Sequence, residues 1–592
     1  MSRPLEDYGL IGDGETAGLV SRDGSLDWLC WPRFDSDACF AALLGRPDHG
    51  CWSFAGDDEQ PVVAAGRRYV PGTLVLQTML RVGGGLVRVN DFMPIRDRAP
   101  AMIRIVEGVE GTAGLTMAVR LRFDYGRMPP WIEPTPNGFV ASIGPDLAVL
   151  HAPVPVTLEA ATARASFDVS PGQRLAFVLQ YGGSAAPAPD AIDAEAALRQ
   201  TEAFWRDWSG RFDAAKTRWP EAVRRALITL KALVHRPTGG LLAAPTTSLP
   251  EVPGGQSNWD YRYCWLRDAT FTLGALLNAG YREEAVQWRD WLLRAVAGAP
   301  DRMPIMYRVD GGRHVDEWTV AGLPGYRFAT PVRVGNAAAG QFQVDVWGEV
   351  IDMLDLADRA GLPPSKQTSH LRAQLGRHLS RVWNEPGAGL WESRAEARHY
   401  TYSRVMAWVG MDRLLRAPGW AADAAMRDNL AAVRAQVHEE VCREGWNAGV
   451  GSFTQYYGGQ QVDASLLLMP LVGFLPATDP RMAATIAAVA RELDDGGLIR
   501  RMPATKPDGN EGAFLACSCW MADCLNLQGK PDEASAYLER VLSVANDLGL
   551  LAEEYDVTGR HLAGNFPQAL THLGVVNTAL GLSGNVLQRG GG

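Results

Sequence analysis

The chain has 592 residues and a mass of 64.2 kDa, room for two large domains or about four of ordinary size. Apolar residues at 47% and charged residues at 21% are ordinary globular usage, which excludes disorder and collagen-like repeats. Lys plus Arg number 57 against 67 Asp plus Glu, a formal charge of -10 with no basic stripe, so neither nucleic acid nor an acidic membrane surface is an expected partner.

The N-terminus, Met1-Ser2-Arg3-Pro4-Leu5-Glu6-Asp7-Tyr8, has neither a basic flank before an apolar stretch nor a small-residue cleavage site. No uninterrupted apolar run of about 18 residues occurs either, and a cytoplasmic protein is expected. Between about Val70 and Gly183 the hydrophobic pattern has period two. In Leu115-Thr116-Met117-Ala118-Val119-Arg120-Leu121-Arg122-Phe123-Asp124-Tyr125 large apolar groups take every second place, as in a half-wet antiparallel strand. Leu74 to Val82 and Leu86 to Asn90, joined by Gly83-Gly84-Gly85, read as a hairpin, and Leu175 to Gln180 as another strand. Residues 1–190 are therefore expected to form an antiparallel β-sandwich, followed by a helical linker over 191–218.

From Trp219 the period becomes 3.6, and residues 219–592 are expected to be one helical domain. Twelve helical segments are marked, roughly 220–236, 266–279, 281–297, 340–360, 366–384, 400–416, 420–443, 461–472, 480–493, 513–528, 530–547 and 567–583. Six antiparallel hairpins of this kind close into a double-walled (α/α)6 barrel. In such a ring the N-termini of the even-numbered helices lie at one end, so the loops before them share one mouth. Those loops carry Arg267 and Asp268, Asn336, Glu392, Glu511 and the pair Glu553-Glu554, accompanied by Trp259, Tyr261, Tyr263, Trp265, Trp391, Tyr400 and Tyr555. Carboxylates ringed by indoles and phenols suit a sugar, because aromatic faces pack on the C–H faces of pyranose rings while acids and Arg bond to hydroxyls.

Glycoside hydrolysis needs one protonated carboxyl to donate to the leaving oxygen and one ionised carboxyl to activate water. Leu390 and Trp391 beside Glu392 favour the protonated form there, and Glu553 lies in a more polar stretch, which makes Glu392 the expected acid and Glu553 the expected base. Surface solvation is the alternative fate of any loop Glu, and Arg267-Asp268 is equally readable as a structural pair at a helix N-terminus. His399 and His561 follow the two glutamates but sit in no H-x-x-x-H or H-E-x-x-H pattern, so no metal is expected, and no motif calls for a cofactor. The cysteines at 30, 39, 51, 264, 442, 517, 519 and 524 are too sparse for a disulfide framework and read as small buried apolar residues. Trp288 and Trp291 read as barrel-wall core.

Three stretches resemble the signatures of glycoside hydrolase family 15, the glucoamylase and trehalase family: Asn258-Trp259-Asp260-Tyr261-Arg262-Tyr263-Cys264-Trp265-Leu266-Arg267-Asp268, Gly389-Leu390-Trp391-Glu392 and Leu551-Ala552-Glu553-Glu554-Tyr555-Asp556. Glu6 to Gly14 and Asp23 to Trp28 also resemble the N-terminal domain of its bacterial and archaeal members. The resemblance implies a β-sandwich packed on an (α/α)6 barrel, with Glu392 as general acid and Glu553 as general base of an inverting, exo-acting α-glucosidase that releases β-glucose from the non-reducing end. It further implies that Arg267 and Asp268 hold hydroxyls of the terminal glucose, with Trp265 lining the pocket and Glu511, in Asn510-Glu511-Gly512-Ala513-Phe514, facing substrate. Trp259, Trp391, Tyr555 and Asn336 complete the expected binding set. Fungal relatives carry a second acid directly after the general acid, whereas Ser393 stands here, so contacts beyond the cleaved bond do not transfer. The expected ligand is a short α-glucoside, with trehalose, maltose and isomaltose linkages all open. An inverting phosphorylase or a non-catalytic sugar-binding protein are the alternatives, and self-association into a homo-oligomer stays open.

Overall fold

The computed structural model describes residues 2–57, 61–159, 161–363, 366–417, 424–504 and 511–586. At the N-terminus two antiparallel sheets face each other. One runs in the order Tyr8–Gly12, Ala17–Ser21, Leu26–Cys30, Cys51–Gly56, Ala113–Arg120, Thr162–Val169 and Thr157–Glu159, with Ala38–Phe40 paired to Leu26–Cys30. The other runs Trp131–Thr135, Gly138–Ile143, Asp146–His151, Arg174–Gly183, Ala101–Glu110, Gly85–Phe92, Leu76–Val82 and Val62–Tyr69. The glycine hairpin is present, with Val82 opposite Gly85.

The first sixty residues, which show no period-two signal, supply five of the eight strands of one sheet. Tyr8–Gly12, Ala17–Ser21 and Leu26–Cys30 are buried on both faces, and a strand so enclosed has no reason to alternate. They lie where the sandwich interior and the helical domain meet: a Cβ on Gly9 would lie 2.9 Å from Leu76 of the facing sheet and 2.8 Å from Leu548 of the helical domain. The strand expected to run on to Tyr125 ends at Arg120. Asp124 and Tyr125 take positive φ values of 52° and 55°, and the turn aims the Tyr125 hydroxyl at Arg262 of the helical domain, 2.8 Å away.

Helix Ala194–Gly210 joins the two parts, capped by Asp193, whose Oδ1 accepts from the N–H groups of Glu195 and Ala196 at 3.0 Å. Trp208 on it stacks on Tyr281 at 4.3 Å and donates to Glu284, so the connection is packed down.

Among the described residues the helical domain contains the twelve expected segments. The inner ring is Ala269–Ala279, Asp345–Arg359, Thr401–Arg416, a short Ala464–Leu467 and Leu468–Leu471 pair, Leu515–Leu527 and Ala569–Gly581. The outer ring is Pro220–Ala232, Arg282–Val296, Lys366–Val382, Ala424–Glu440, Pro480–Leu493 and Pro531–Ser543. Inner helices are covered on every side, which is why Ala269–Ala279 and Ala569–Gly581 carry no charged residue at all. The outer helices have one wet face, and Pro opens Pro220–Ala232, Pro480–Leu493 and Pro531–Ser543 at the position where a missing N–H costs nothing. Within the wall Trp288 and Trp291 stack at 4.9 Å. The eighth segment, expected over 461–472, is half 3-10 helix and short, with Pro470 inside it. Residues 420–423, expected to open the seventh, lie outside the described residues.

The sandwich grips the loops at one end of the barrel. Arg262, fully buried in the segment leading to Trp265, donates to Ser36 O at 2.7 Å and to Tyr125 Oη, while Asp260 takes its remaining edge. Trp28 Nε1 donates to Pro245 O at 2.8 Å, and Arg33 pairs with Asp310. At the other extreme of the chain, Asn546 Nδ2 donates to Tyr8 O at 2.9 Å, Asp547 pairs with Arg22 and Arg67, and Leu562 N–H donates to the Glu6 carboxylate.

Candidate active site

Loops preceding five of the six inner helices meet in a cavity of about 240 Å3. It is lined by Glu251, Trp259, Tyr261 and Arg267 ahead of the first inner helix and by Asn336 ahead of the second. Trp391 and Glu392 come ahead of the third, Arg501, Glu511 and Phe514 ahead of the fifth, and Glu553 ahead of the sixth. The loop before the fourth contributes Asp463, which sits behind Trp391 and accepts from its Nε1 at 2.8 Å.

Glu392 is presented by a tight turn. Gly389 has φ 71°, Glu392 itself φ 55°, and Glu392 N–H donates to Gly389 O at 3.1 Å. A left-handed glutamate is held against its own preference only by its surroundings, which is the kind of strain that marks a working residue. Its Oε1 accepts from Trp265 Nε1 at 2.6 Å and Arg267 Nη1 at 3.2 Å, which leaves Oε2 to carry a proton. Burial raises the carboxyl above the ordinary glutamate range, against the opposing pull of Arg267 and of the Trp265 hydrogen bond. Arg267 is itself fixed by Asp268 at 3.0 Å and by Leu390 O.

Glu553 Oε1 accepts from the Tyr261 hydroxyl at 2.6 Å. Burial raises this carboxyl too, so it is less polar in setting than its sequence neighbours suggest. Arg501, the Tyr261 hydroxyl, the backbone of Asn565 and Arg267 all oppose that rise and favour the carboxylate, whereas Glu392 also feels Asp268, which favours its acid form. No hydrogen bond or ion pair joins the two carboxyls. Behind Glu553, Gly564 has φ 73°, and a Cβ there would stand 2.5 Å from Glu553 Oε2. Gly564→Ala is accordingly expected to cost about 1 kcal/mol of stability for the left-handed backbone and to lower kcat by about 10² through displacement of Glu553. Melting and steady-state kinetics on the variant check both figures.

Beside Glu553 lie Glu251, Glu511 and Glu554, each offering one oxygen within 4.8 Å of the others. The geometry would suit a cation, but a guanidinium already supplies the charge: Arg501 Nη2 lies 2.7 Å from Glu251 Oε2 and 2.7 Å from Glu511 Oε2, and 3.7 Å from Glu554 Oε1. Burial works against its charge, and the surrounding carboxylates outweigh it and keep Arg501 protonated. Burial pushes Glu251 and Glu554 well above the normal range.

Of the residues expected from sequence, Glu392, Glu553, Arg267, Trp259, Trp391, Glu511 and Asn336 line the cavity. Trp265 and Asp268 stand just behind it, holding Glu392 and Arg267. Asn336 spends its side-chain oxygen capping Ala338 N–H. Tyr555, expected in the binding set, does not line the cavity; its ring packs under Arg540, whose guanidinium stands 5.8 Å from the ring centre. Asn510 lies outside the described residues. Glu251 and Arg501 were not singled out by motif, although both sit in loops that precede inner helices, the criterion that found the others. His561 lies 3.7 Å from Asp556, and His399 contacts Arg404; neither lines the cavity.

Residues 219–580 match the model for glycosyl hydrolases family 15, and residues 1–205 match a trehalase-like N-terminal domain. A trehalase of Mycolicibacterium smegmatis is 37% identical, the match covering 98% of this chain and 91% of that one. A trehalase of Mycobacterium tuberculosis is 35% identical, covering 98% and 89%. A solved bacterial glucoamylase complexed with acarbose shares the fold, with a TM-score of 0.74 over 99% of this chain and 95% of that one at 12% identity.

Proposed function

Because the chain belongs to glycosyl hydrolases family 15 and is an α-glucoside hydrolase, we propose that it is an inverting, exo-acting trehalase. The observation that carries this reading is the meeting of Glu392 and Glu553 in one small cavity, each with one oxygen held by a fixed donor. The full-length similarity to two trehalases supports the linkage. Eight free cysteines support a reducing, cytoplasmic location, and no described helix is long and apolar enough to cross a membrane.

The terminal glucose ring lies between the two carboxyls, its hydroxyls bonded by Arg267 and Arg501. Glu392 Oε2 gives its proton to the bridging oxygen as the C–O bond breaks. Glu553 takes a proton from a water, whose oxygen attacks the anomeric carbon from the opposite face, so the carboxyls need a separation of about 6.5 to 9.5 Å. Afterwards Glu392 is ionised and Glu553 protonated, and exchange with solvent restores both. Tyr261 and Trp265 keep each acceptor aimed throughout.

Purified protein offered trehalose, maltose, isomaltose, maltotetraose and soluble starch is expected to favour trehalose. Proton NMR at early times should show equal α- and β-glucose, one from the departing ring and one from the inverted ring. Two α-glucose per trehalose would mean retention, and phosphate-dependent glucose 1-phosphate would mean phosphorolysis; either result overturns the proposal.

A further inference from the structure

We infer that Arg394 closes the leaving-group end of the cavity and thereby restricts the enzyme to substrates of two rings. The inference rests on the hydrolase reading above and adds what lies beyond the cleaved bond. The cavity has a buried end and an open one. Glu251 and Glu553 are 3% and 1% exposed, while the Arg394 side chain is 42% exposed, so the terminal glucose lies at the inner end and the departing sugar at the Arg394 end.

Arg394 follows the acid by two residues and is not a loose surface chain. It pairs with Glu317 at 2.7 Å, and its guanidinium stands 4.0 Å over the Trp259 ring. Arg333 covers the same indole at 4.4 Å and reaches the same Glu317 at 3.4 Å. Glu317 Oε2 also accepts from Ala337 N–H at 3.1 Å. A ligand at this end therefore meets a tethered guanidinium where the sequence suggests a bare indole. Behind it, Gln341 Nε2 donates to Glu392 O at 3.1 Å and Ser393 O at 3.2 Å, which pins the backbone and leaves the side chain as the variable part.

Ser393 and Arg394 border a second space as well, a more open groove of about 400 Å3 reaching Phe342 and Pro386. Ala337 lines the groove and Ala338 the inner cavity, while the two side chains that border both spaces are those of Ser393 and Arg394. Only the last is large. Its N–H donors face hydroxyls of the second ring, and its bulk stands where a third ring would enter the groove. Arg rather than Lys suits both tasks, because a planar fork can stack on Trp259 and hold Glu317 while still donating.

The test compares kcat/KM on α-glucosyl fluoride, which has no second ring, trehalose and maltotetraose. Arg394→Ala is expected to lower trehalose relative to α-glucosyl fluoride by about tenfold or more, since donors from a charged group are lost from one ring only. It is also expected to raise maltotetraose relative to trehalose by about tenfold or more. Glu317→Gln, which loosens the tether and keeps the arginine, should move both ratios in the same direction by less. Ratios within twofold of wild type in Arg394→Ala, or a fall in maltotetraose parallel to trehalose, overturn the role of Arg394 while leaving hydrolysis intact. A wild-type enzyme inert toward all three substrates would instead sink the functional reading on which it rests.

Discussion

Glu392→Gln is expected to lower kcat on trehalose by about 10² to 10⁴ with the fold preserved, because the amide keeps the shape and loses the proton. Its loss on α-glucosyl fluoride should be at least about tenfold smaller, since fluoride departs with little protonation; the gap between substrates is what identifies an acid. The pH profile gives a second reading. Activity requires Glu553 ionised and Glu392 protonated, so it rises as pH climbs through the Glu553 pKa and falls as pH climbs through that of Glu392. Burial raises both, which moves the whole bell above the ordinary carboxylate range. In Glu392→Gln the alkaline limb should vanish and the acid limb remain. Equal losses on both substrates, or an intact alkaline limb, would assign the proton to another group.

Glu553→Ala is expected to abolish turnover on trehalose and α-glucosyl fluoride alike, by about 10³ or more, since neither leaving group relieves the need for an activated water. Sodium azide should restore reaction of the fluoride, because the anion fits the space left by carboxylate and water, and the product should be β-glucosyl azide. An α-azide would reveal a retained configuration and exclude inversion. Glu554→Ala is the natural contrast: Glu554 accepts from Gly512 N–H at 3.0 Å and lies among the carboxylates around Arg501, so it serves the seat of the base and not the reacting water.

The barrel was legible because twelve segments of period 3.6 follow one another with short connections. Their antiparallel alternation puts the loops before the even-numbered helices at one mouth, and those are the loops that matter. Glu392 and Glu553, the proposed acid and base, were picked out by that geometry together with the three signature stretches, and they line one cavity. The first sixty residues were silent, since strands buried where a facing sheet and a helical domain meet need no wet side. Glu251 left no trace because nothing about Pro250-Glu251-Val252-Pro253 reveals that Arg501, 250 positions away, will hold its carboxylate. Tyr555 lies off the cavity because Arg540, from a helix of the outer ring, covers its ring, a contact its own stretch does not announce. The Arg394 arrangement depends on Glu317, Arg333 and Trp259 converging from three separate stretches, a meeting that no local pattern encodes.

The contacts that tie Glu6, Tyr8 and Arg22 to Asn546, Asp547 and Leu562 join stretches 525 to 556 residues apart in the chain. Domains fold largely in the order they emerge, so the sandwich forms before the stretch that packs on it. Until residues 546–563 arrive, the cavity has Glu392 and lacks Glu553. On the roles proposed above, hydrolysis begins only once that stretch has packed on the sandwich.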